Sequence, residues 1–351
     1  MNAMAILPRG VGDALREAAH RALPVELRGN EKGGWASPHE VVGEFQGARV
    51  LYYAPAGAAR SPPVVYVYSL INRSYIMDFQ QGRSLVAHLA AQGHPGYLID
   101  WGTPTAAHRH KTWADYLHGV IGRTISLAAE REGTDRATLY GYCMGGTLAL
   151  AYAALRPERV RAFVAMATPV DFHDDGLLST WTRPGLFNVD ALVDGFGNVP
   201  TWLMESGFRM LQPLGNVTKW RDLWEGREKE GFVEMWRTLE RWSADNVAFP
   251  GEVYRQYIRD CYQRNAFVTG EMVVGGERVD LGRIESPVLV LTANKDHIAP
   301  KKATHALLGR TGSKDVTHLE YATGHIGLST SGKGPKEIWP AVDQWLRAHA
   351  G

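Results

Sequence analysis

The stretch Leu139-Tyr140-Gly141-Tyr142-Cys143-Met144-Gly145-Gly146-Thr147 decides the fold. An apolar, β-prone run leads into it, and a helix-forming run rich in alanine and leucine follows as far as Leu155. Between the two stands Gly-x-Cys-x-Gly, the layout of a nucleophile elbow with cysteine where serine is more usual. The glycines on either side are required because larger side chains would collide in a turn this tight.

The elbow places Cys143 at the N-terminus of a helix, where free backbone N–H groups and the helix dipole favour a thiolate. A plainer interpretation stays open at this point, namely a glycine-rich turn with a buried cysteine. The second cysteine, Cys261, lies in a helical stretch and is expected to pack in the core. Two cysteines so far apart form no disulfide framework, so we expect a reducing compartment.

Composition narrows the class of protein. The 351 residues can build a large core, or one domain with a sizeable insertion, and 45% hydrophobic residues is ordinary for a globular protein. A formal net charge of +1 provides no basic field for nucleic acid. We find neither a signal-peptide pattern nor an apolar run long enough to span a membrane, so we expect a cytoplasmic location.

Strand and helix patterns alternate in two parts of the chain, residues 35–167 and 285–351, which predicts a mostly parallel sheet with helices on both faces. Buried or alternating strand patterns fall at residues 40–46, 48–54, 64–68, 96–101, 137–140, 160–167, 287–292 and 316–321. Helical patterns between or after them fall at residues 80–92, 113–131, 144–155, 301–308 and 336–348.

The alternation breaks between residues 168 and 284, where tryptophan, methionine and charged residues are frequent. Helical patterns occur there at 203–211, 231–246 and 252–264, and a short hairpin is predicted around Gly275-Gly276. We interpret residues 168–284 as an inserted helical cap. Residues 1–34 contain one amphipathic helix, 11–23, and a linker; this helix is either loosely packed or a docking element for a partner.

Two polar residues follow late strands of the predicted sheet. Asp296 comes after the strand that ends at Thr292, and His325 after the strand that ends at Tyr321. In an open parallel sheet the active groups collect at the C-terminal ends of strands. The order of nucleophile, acid and histidine is that of α/β-hydrolases, so we predict that Cys143 is the nucleophile, His325 its base and Asp296 the partner that orients the base.

Each of these residues has a plainer alternative. The chain has thirteen histidines, and most histidines have no catalytic role; Asp296 could be only a turn or N-cap residue; His297 beside it is ambiguous. An oxyanion hole needs two N–H donors, which we predict to be the amides of Met144, after the nucleophile, and Ile71, in the loop after the third strand.

The residues of this constellation sit in segments that resemble the polyhydroxyalkanoate synthase family from about residue 40 to the C-terminus. Departures are small: Ser74 stands where proline is common, and Phe79 where leucine is common. The resemblance rests on Asn72-Arg73-Ser74-Tyr75, Asp100-Trp101-Gly102-Thr103-Pro104, Gly141-Tyr142-Cys143-Met144-Gly145-Gly146-Thr147, Tyr262-Gln263-Arg264-Asn265, Gly275-Gly276-Glu277-Arg278-Val279-Asp280-Leu281, Asp296-His297-Ile298-Ala299-Pro300 and Gly324-His325-Ile326-Gly327.

The resemblance implies an α/β-hydrolase fold and an enzyme that polymerises (R)-3-hydroxyacyl-coenzyme A, with 3-hydroxybutyryl-coenzyme A as the expected monomer. It implies an acyl thioester on Cys143, release of coenzyme A, and no cofactor or metal. Alternatives of the same fold are a cysteine-dependent polyester depolymerase and an acyl-coenzyme A thioesterase. A granule-binding scaffold without activity is a third alternative, against which the intact set of Cys143, Asp296 and His325 argues.

The length of the chain is similar to that of the short catalytic subunits of two-subunit synthases, class III or class IV. This resemblance implies a second, noncatalytic subunit, and it leaves a homodimer open. Further implied partners are the growing polyester chain and the surface of polyhydroxyalkanoate granules in the cytoplasm. Helix 11–23 and the cap are the candidate surfaces for contact with the second subunit, and the sequence does not indicate which of the two is used.

Overall fold

A computed structural model describes residues 34–211 and 215–349, so the predicted helix 11–23 lies outside the described residues. Eight strands form one sheet in the order β1-β2-β4-β3-β5-β6-β7-β8. They are β1 Glu40–Phe45, β2 Ala48–Tyr53, β3 Val64–Val67, β4 Gly96–Asp100, β5 Ala137–Tyr142, β6 Val160–Met166, β7 Val288–Ala293 and β8 Val316–Tyr321.

The six strands β3 to β8 pair in parallel, whereas β1 and β2 form an antiparallel hairpin and β2 runs antiparallel to β4. The sheet is therefore mostly parallel, as the alternation of strand and helix patterns predicts. Parallel pairing brings the C-terminal ends of β5, β7 and β8 to one edge, which is where the predicted site residues follow.

The central strands are apolar throughout because both faces of the sheet are covered. All four residues of β3 are buried, and alternate side chains enter two separate core clusters. Val65 and Val67 pack on the face of the sheet that carries the helix after β5. Val64 and Tyr66 pack on the opposite face, together with Leu85 and Leu346 from two other helices. This is a helix–sheet–helix sandwich.

The core helices match the predicted positions, with local differences in geometry and in where they begin and end. Residues 113–131 are helical throughout, but their middle turn, Leu117–Gly122, has π geometry. The predicted helix 80–92 begins only at Leu85, because Asp78–Gln80 and Arg83–Ser84 pair as a short ribbon before it. The other core helices are Met144–Leu155, Lys301–His305, Gly327–Thr330 and Trp339–His349.

The chain between β6 and β7 is mainly helical, as predicted for the cap; the domain boundaries 168 and 284 stay a prediction. Its ribbon pairs Val273–Val274 with Glu277–Arg278 around the two predicted glycines. Its helices are Leu177–Trp181, Val189–Phe196, Thr201–Leu211, Gly215–Gly226, Phe232–Ala244, Gly251–Gln256, which continues as the π turn Tyr257–Gln263, and Ala266–Thr269.

Across residues 34–211 and 215–349, no helix combines the length and the apolar character that crossing a membrane requires.

Candidate active site

The turn after β5 is strained at its centre. Cys143 has φ 57° and ψ −139°, a conformation that residues with a side chain rarely adopt. The neighbouring glycines make this turn possible. A Cβ on Gly141 would lie 2.4 Å from the Cα of Gly146, and a Cβ on Gly145 would lie 2.3 Å from the carbonyl oxygen of Val67. The sequence thus specifies an elbow that only this pattern of glycines fits.

The elbow is held from both sides. The Cys143 amide donates to the carbonyl of Met166 at the end of β6, over 3.0 Å, and the Gly146 amide donates to the Cys143 carbonyl over 2.9 Å. The helix that follows, Met144–Leu155, is buried at all twelve positions. Packing on every side fixes the helix, and with it the position of the thiol.

Asp296 and His325 meet in the core, as the predicted strand positions require. Nδ1 of His325 lies 2.7 Å from Oδ2 of Asp296, and both side chains are almost fully buried. The other carboxylate oxygen of Asp296 accepts hydrogen bonds from the amides of Ile298 and Ala299, both at 2.9 Å. These donors fix the carboxylate, which in turn orients the imidazole.

The outer nitrogen of the imidazole is available for chemistry. Nε2 of His325 is buried and makes no hydrogen bond within the described part of the chain. Burial alone would lower the pKa of His325, but the negative charges of Asp296 and Cys143 outweigh burial and raise this pKa above its usual value. The site therefore favours a protonated imidazole.

Tyr142, which the sequence analysis did not single out, anchors the loop that carries the histidine. Its hydroxyl donates to the carbonyl oxygen of His325 over 2.8 Å, and the two rings lie 5.4 Å apart between their centres. Tyr142 is the last residue of β5, so its backbone is continuous with the nucleophile elbow. In the sequence, only its position directly before Cys143 indicates that Tyr142 belongs to the site.

The two amides predicted for the oxyanion hole differ in their surroundings. Met144 is the first residue of its helix, where an amide has no carbonyl of the preceding turn to donate to. The Ile71 amide, in contrast, donates to Oγ of Ser69 over 3.2 Å. An oxyanion that used the Ile71 amide would have to replace this serine, whose hydroxyl is buried.

A cavity of about 600 Å³ opens over the thiol. Its wall includes Cys143, His325 and Ile71 from the core, and Phe208 and Trp242 from the cap. His297, which the sequence left ambiguous, also lines this cavity.

Cys261 lies outside the cavity wall and is fully buried, as expected for a packing residue. Burial, followed by the nearby charge of Asp260, raises its pKa well above the ordinary value. A thiol with a raised pKa is a poor nucleophile. The contrast with Cys143, which is only partly buried and faces the cavity, distinguishes the two cysteines.

Comparison with known proteins agrees with this geometry. Residues 62–330 match the family model of the alpha/beta hydrolase fold. The chain is 41% identical over 302 residues to the poly(3-hydroxyalkanoate) polymerase subunit PhaC of Allochromatium vinosum, with 84% of each chain covered. It is 36% identical over 321 residues to the protein of the same name from a Synechocystis species, covering 88% of this chain and 84% of that one.

The chain belongs to the poly(3-hydroxyalkanoate) polymerase (PhaC) family. A longer member, from Haloferax mediterranei, is 40% identical over 313 residues; the match covers 88% of this chain but only 64% of that relative. The resemblance noted from sequence motifs is thus confirmed by similarity over most of the chain.

Solved structures confirm the fold of this PhaC family member. A soluble variant of monoglyceride lipase from Saccharomyces cerevisiae aligns with a TM-score of 0.58 over 91% of this chain and 99% of that one, at 14% identity. A monoacylglycerol lipase from Paleococcus ferrophilus aligns with a TM-score of 0.53 over 86% and 99% of the two chains, at 18% identity. At such low identity these likenesses establish the α/β-hydrolase fold alone.

Proposed function

We propose that this chain polymerises (R)-3-hydroxyacyl-coenzyme A, with 3-hydroxybutyryl-coenzyme A as its monomer, into a polyester carried on Cys143. As a member of the PhaC family it is an acyltransferase, and its relatives are named polymerases of 3-hydroxyalkanoates. The observation that carries the proposal is the strained Cys143 elbow next to a buried His325–Asp296 pair whose Nε2 has no partner among the described residues.

In the first step, His325 accepts the thiol proton and the sulfur of Cys143 attacks the carbonyl carbon of the acyl thioester. The negative charge that develops on the carbonyl oxygen is stabilised by the amides of Met144 and Ile71. When the intermediate collapses, coenzyme A leaves with the proton from His325, and the acyl group stays on Cys143. Exchange of one thioester for another is nearly isoenergetic, which suits cysteine better than serine.

In the second step, the 3-hydroxyl group of another unit attacks the acyl thioester on Cys143. A proton leaves this hydroxyl as the ester bond forms, and His325 is the base within the site that accepts it. Asp296 orients His325, or acts on the hydroxyl directly, as the family resemblance suggests. The chain lengthens by one unit and the sulfur is released for the next acylation.

The aromatic cap favours the hydroxyl over water as the attacking group. Phe208 and Trp242 form part of the cavity wall. Large apolar side chains such as these, placed in the wall beside the thiol, hinder the approach of water. This supports a synthase over the thioesterase or depolymerase, for which water is the co-substrate.

A second, noncatalytic subunit and the granule surface are the proposed macromolecular partners. Several large apolar side chains of the cap are exposed, as expected for a region that meets apolar material. They are Leu186 at 72%, Trp224 at 67%, Met210 at 59%, Trp202 at 52% and Phe196 at 50% relative exposure. Co-purification of a second subunit with this chain from the native cell tests the proposed subunit. We place the chain at granules in the cytoplasm.

Labelling with radioactive 3-hydroxybutyryl-coenzyme A tests the proposed reaction. We expect the wild-type chain to release coenzyme A, to become labelled on Cys143 and to form polymer. Cys143→Ala should abolish both release and labelling, because the acyl group then has no acceptor sulfur. Cys261→Ala is the matched control and should leave both unchanged.

Two results would contradict the proposal. Label that persists on Cys261 in the Cys143→Ala variant would reassign the nucleophile. Free 3-hydroxybutyrate as the sole product of the wild-type chain would identify a thioesterase instead, since water would then be the acceptor.

A further inference from the structure

The loop that carries the predicted oxyanion donor is fastened to the cap. Residues 68–73 form the loop that follows β3, here called the β3 loop. The part of the cap that contacts it is residues 242–247, here called the 242–247 segment. The Val247 amide donates to the carbonyl of Ile71 over 3.3 Å. The indole of Trp242 donates to the carbonyl of Arg73 over 2.8 Å. Two backbone carbonyls of the loop are thus bound by one short cap segment.

Side chains reinforce this connection. Oδ1 of Asp245 accepts from the guanidinium of Arg73 over 3.1 Å, and Oδ2 accepts from the hydroxyl of Tyr75 over 3.2 Å. The amide side chain of Asn72 donates to that of Asn246. Each residue from 245 to 247 therefore contacts the β3 loop or the residues that directly follow it.

The opposite side of the loop is bound to the core. The indole of Trp101 donates to the Tyr68 carbonyl over 2.9 Å, and Arg73 also donates to the Gly102 carbonyl over 3.0 Å and to Oγ1 of Thr103 over 2.9 Å. Arg73 is shared between both sides, because it contacts residues 102 and 103 as well as Asp245. Asp245 is thus the acidic group through which the cap orients Arg73.

We propose that Asp245 is a positioning residue, which holds the β3 loop through Arg73 and Tyr75. It thereby keeps the Ile71 amide, which bonds Oγ of Ser69 before the reaction, close enough to turn to the oxyanion formed at Cys143. The inference rests on the proposed function, because it assigns Asp245 to the acylation step of that reaction. Donors of an oxyanion hole act only when they are held in place before the charge develops. A small displacement of the loop therefore slows acylation without removing any reacting group.

The connection also links the cap to the chemistry. The 242–247 segment begins inside the cap helix Phe232–Ala244. Asn246 extends the link further, because it donates to Oε1 of Glu205 on the helix Thr201–Leu211 over 3.0 Å. A shift of either helix is transmitted to Ile71 through this segment.

Two reactions of Cys143 distinguish a displaced oxyanion donor from a disturbed thiol. Acylation by p-nitrophenyl acetate forms an oxyanion, whereas alkylation by iodoacetamide forms none. We expect Asp245→Asn to lower the acylation rate about tenfold, which is less than the loss of an entire donor, and to leave the alkylation rate within about twofold. Tyr75→Phe removes one of the two contacts of Asp245, so it should also lower the acylation rate, but by less than Asp245→Asn does.

Asp194→Asn is the matched control. This cap aspartate pairs with Arg255 at 2.6 Å and makes none of the β3-loop contacts described above, so both rates should stay at the wild-type value. Unchanged acylation in Asp245→Asn would overturn the inference. So would an equal fall in acylation and alkylation, because it would indicate a disturbed thiol and not a displaced donor.

The ester also separates this inference from the proposed function. If the wild-type chain is acylated by the ester but releases no coenzyme A from 3-hydroxybutyryl-coenzyme A, the proposed substrate is wrong, and the Asp245→Asn rates still decide the positioning role. If the wild-type chain is not acylated by the ester at all, the positioning role is overturned as well.

Discussion

A negative charge on the sulfur of Cys143 favours the protonated imidazole of His325. The Asp296 carboxylate adds a second negative charge on the other side of the ring, 2.7 Å from Nδ1. Together these charges overcome the effect of burial, which by itself would lower the pKa of His325. The same ring is thus prepared as an acid for the leaving coenzyme A and, once its proton is lost, as a base for the hydroxyl.

We predict that Cys143→Ala lowers the pKa of His325. The negative charge of Cys143 favours the protonated ring, so its removal lets the ring lose its proton at a lower pH. Titration of carbon-13-labelled histidine by NMR measures the shift, with the His325→Gln variant used to assign the signal. His94 is an internal control, since its nearest acid is Asp343 and its pKa, lowered by burial, should stay constant.

An unchanged His325 titration in Cys143→Ala would show that the thiol is neutral in the wild-type chain. In that case the proton would move only during the attack on the substrate, and the site would act by general base catalysis and not through a preformed ion pair.

At the scale of elements, the turn from β5 to its helix leaves no room for a larger side chain at Gly141. We predict that Gly141→Ala lowers the free energy of unfolding by roughly 3 kcal/mol, because the new Cβ meets the backbone of Gly146, which has no freedom to move away. Urea denaturation measures the change.

Gly207→Ala is the matched control for this substitution. Gly207 lies in the cap helix Thr201–Leu211, and a Cβ there would have no heavy atom within 4 Å. Alanine is the better helix former by about 0.5–1 kcal/mol, so the control should be neutral or slightly more stable. Equal destabilisation of the two variants would refute the steric argument for the elbow.

The elements that the sequence predicted well are those whose signal is local. The buried strands are continuous apolar runs, and the positions of Asp296 and His325 follow from the rule that strand ends meet at one edge. The sequence predicted a helix from residue 80, whereas the helix begins at Leu85. The strand Arg83–Ser84 before it has only two residues, which is too short to show a periodicity. The hydrogen bond from Ile71 to Ser69 depends on one side-chain rotamer, which no sequence pattern encodes.

At the scale of the whole molecule, the contacts between cap and core were beyond sequence reasoning. Asp245 and Arg73 are 172 residues apart, and nothing in either local sequence indicates that they meet. Such contacts form only because the sheet and the cap have both folded. The sequence could therefore identify the reacting groups, whereas the means by which the cap holds the β3 loop required the structure.

The exposed apolar side chains of the cap lead to a prediction about the assembled system. We predict that the double variant Leu186→Gln, Trp224→Gln binds polyester granules at least about tenfold more weakly, since a loss of about 1.4 kcal/mol of apolar burial corresponds to that factor. Co-sedimentation with purified poly(3-hydroxybutyrate) granules measures it. Val41→Gln is the control, because Val41 is 50% exposed but lies on the edge strand β1, outside the cap.

Alkylation of Cys143 by iodoacetamide distinguishes a lost surface from a lost fold, because neither Leu186 nor Trp224 lines the cavity. A wild-type alkylation rate together with weak granule binding would assign the cap surface to the polymer. Unchanged granule binding in the double variant would contradict that assignment. An equal loss in Val41→Gln would contradict it too, since the effect would then follow apolar exposure in general and not the cap.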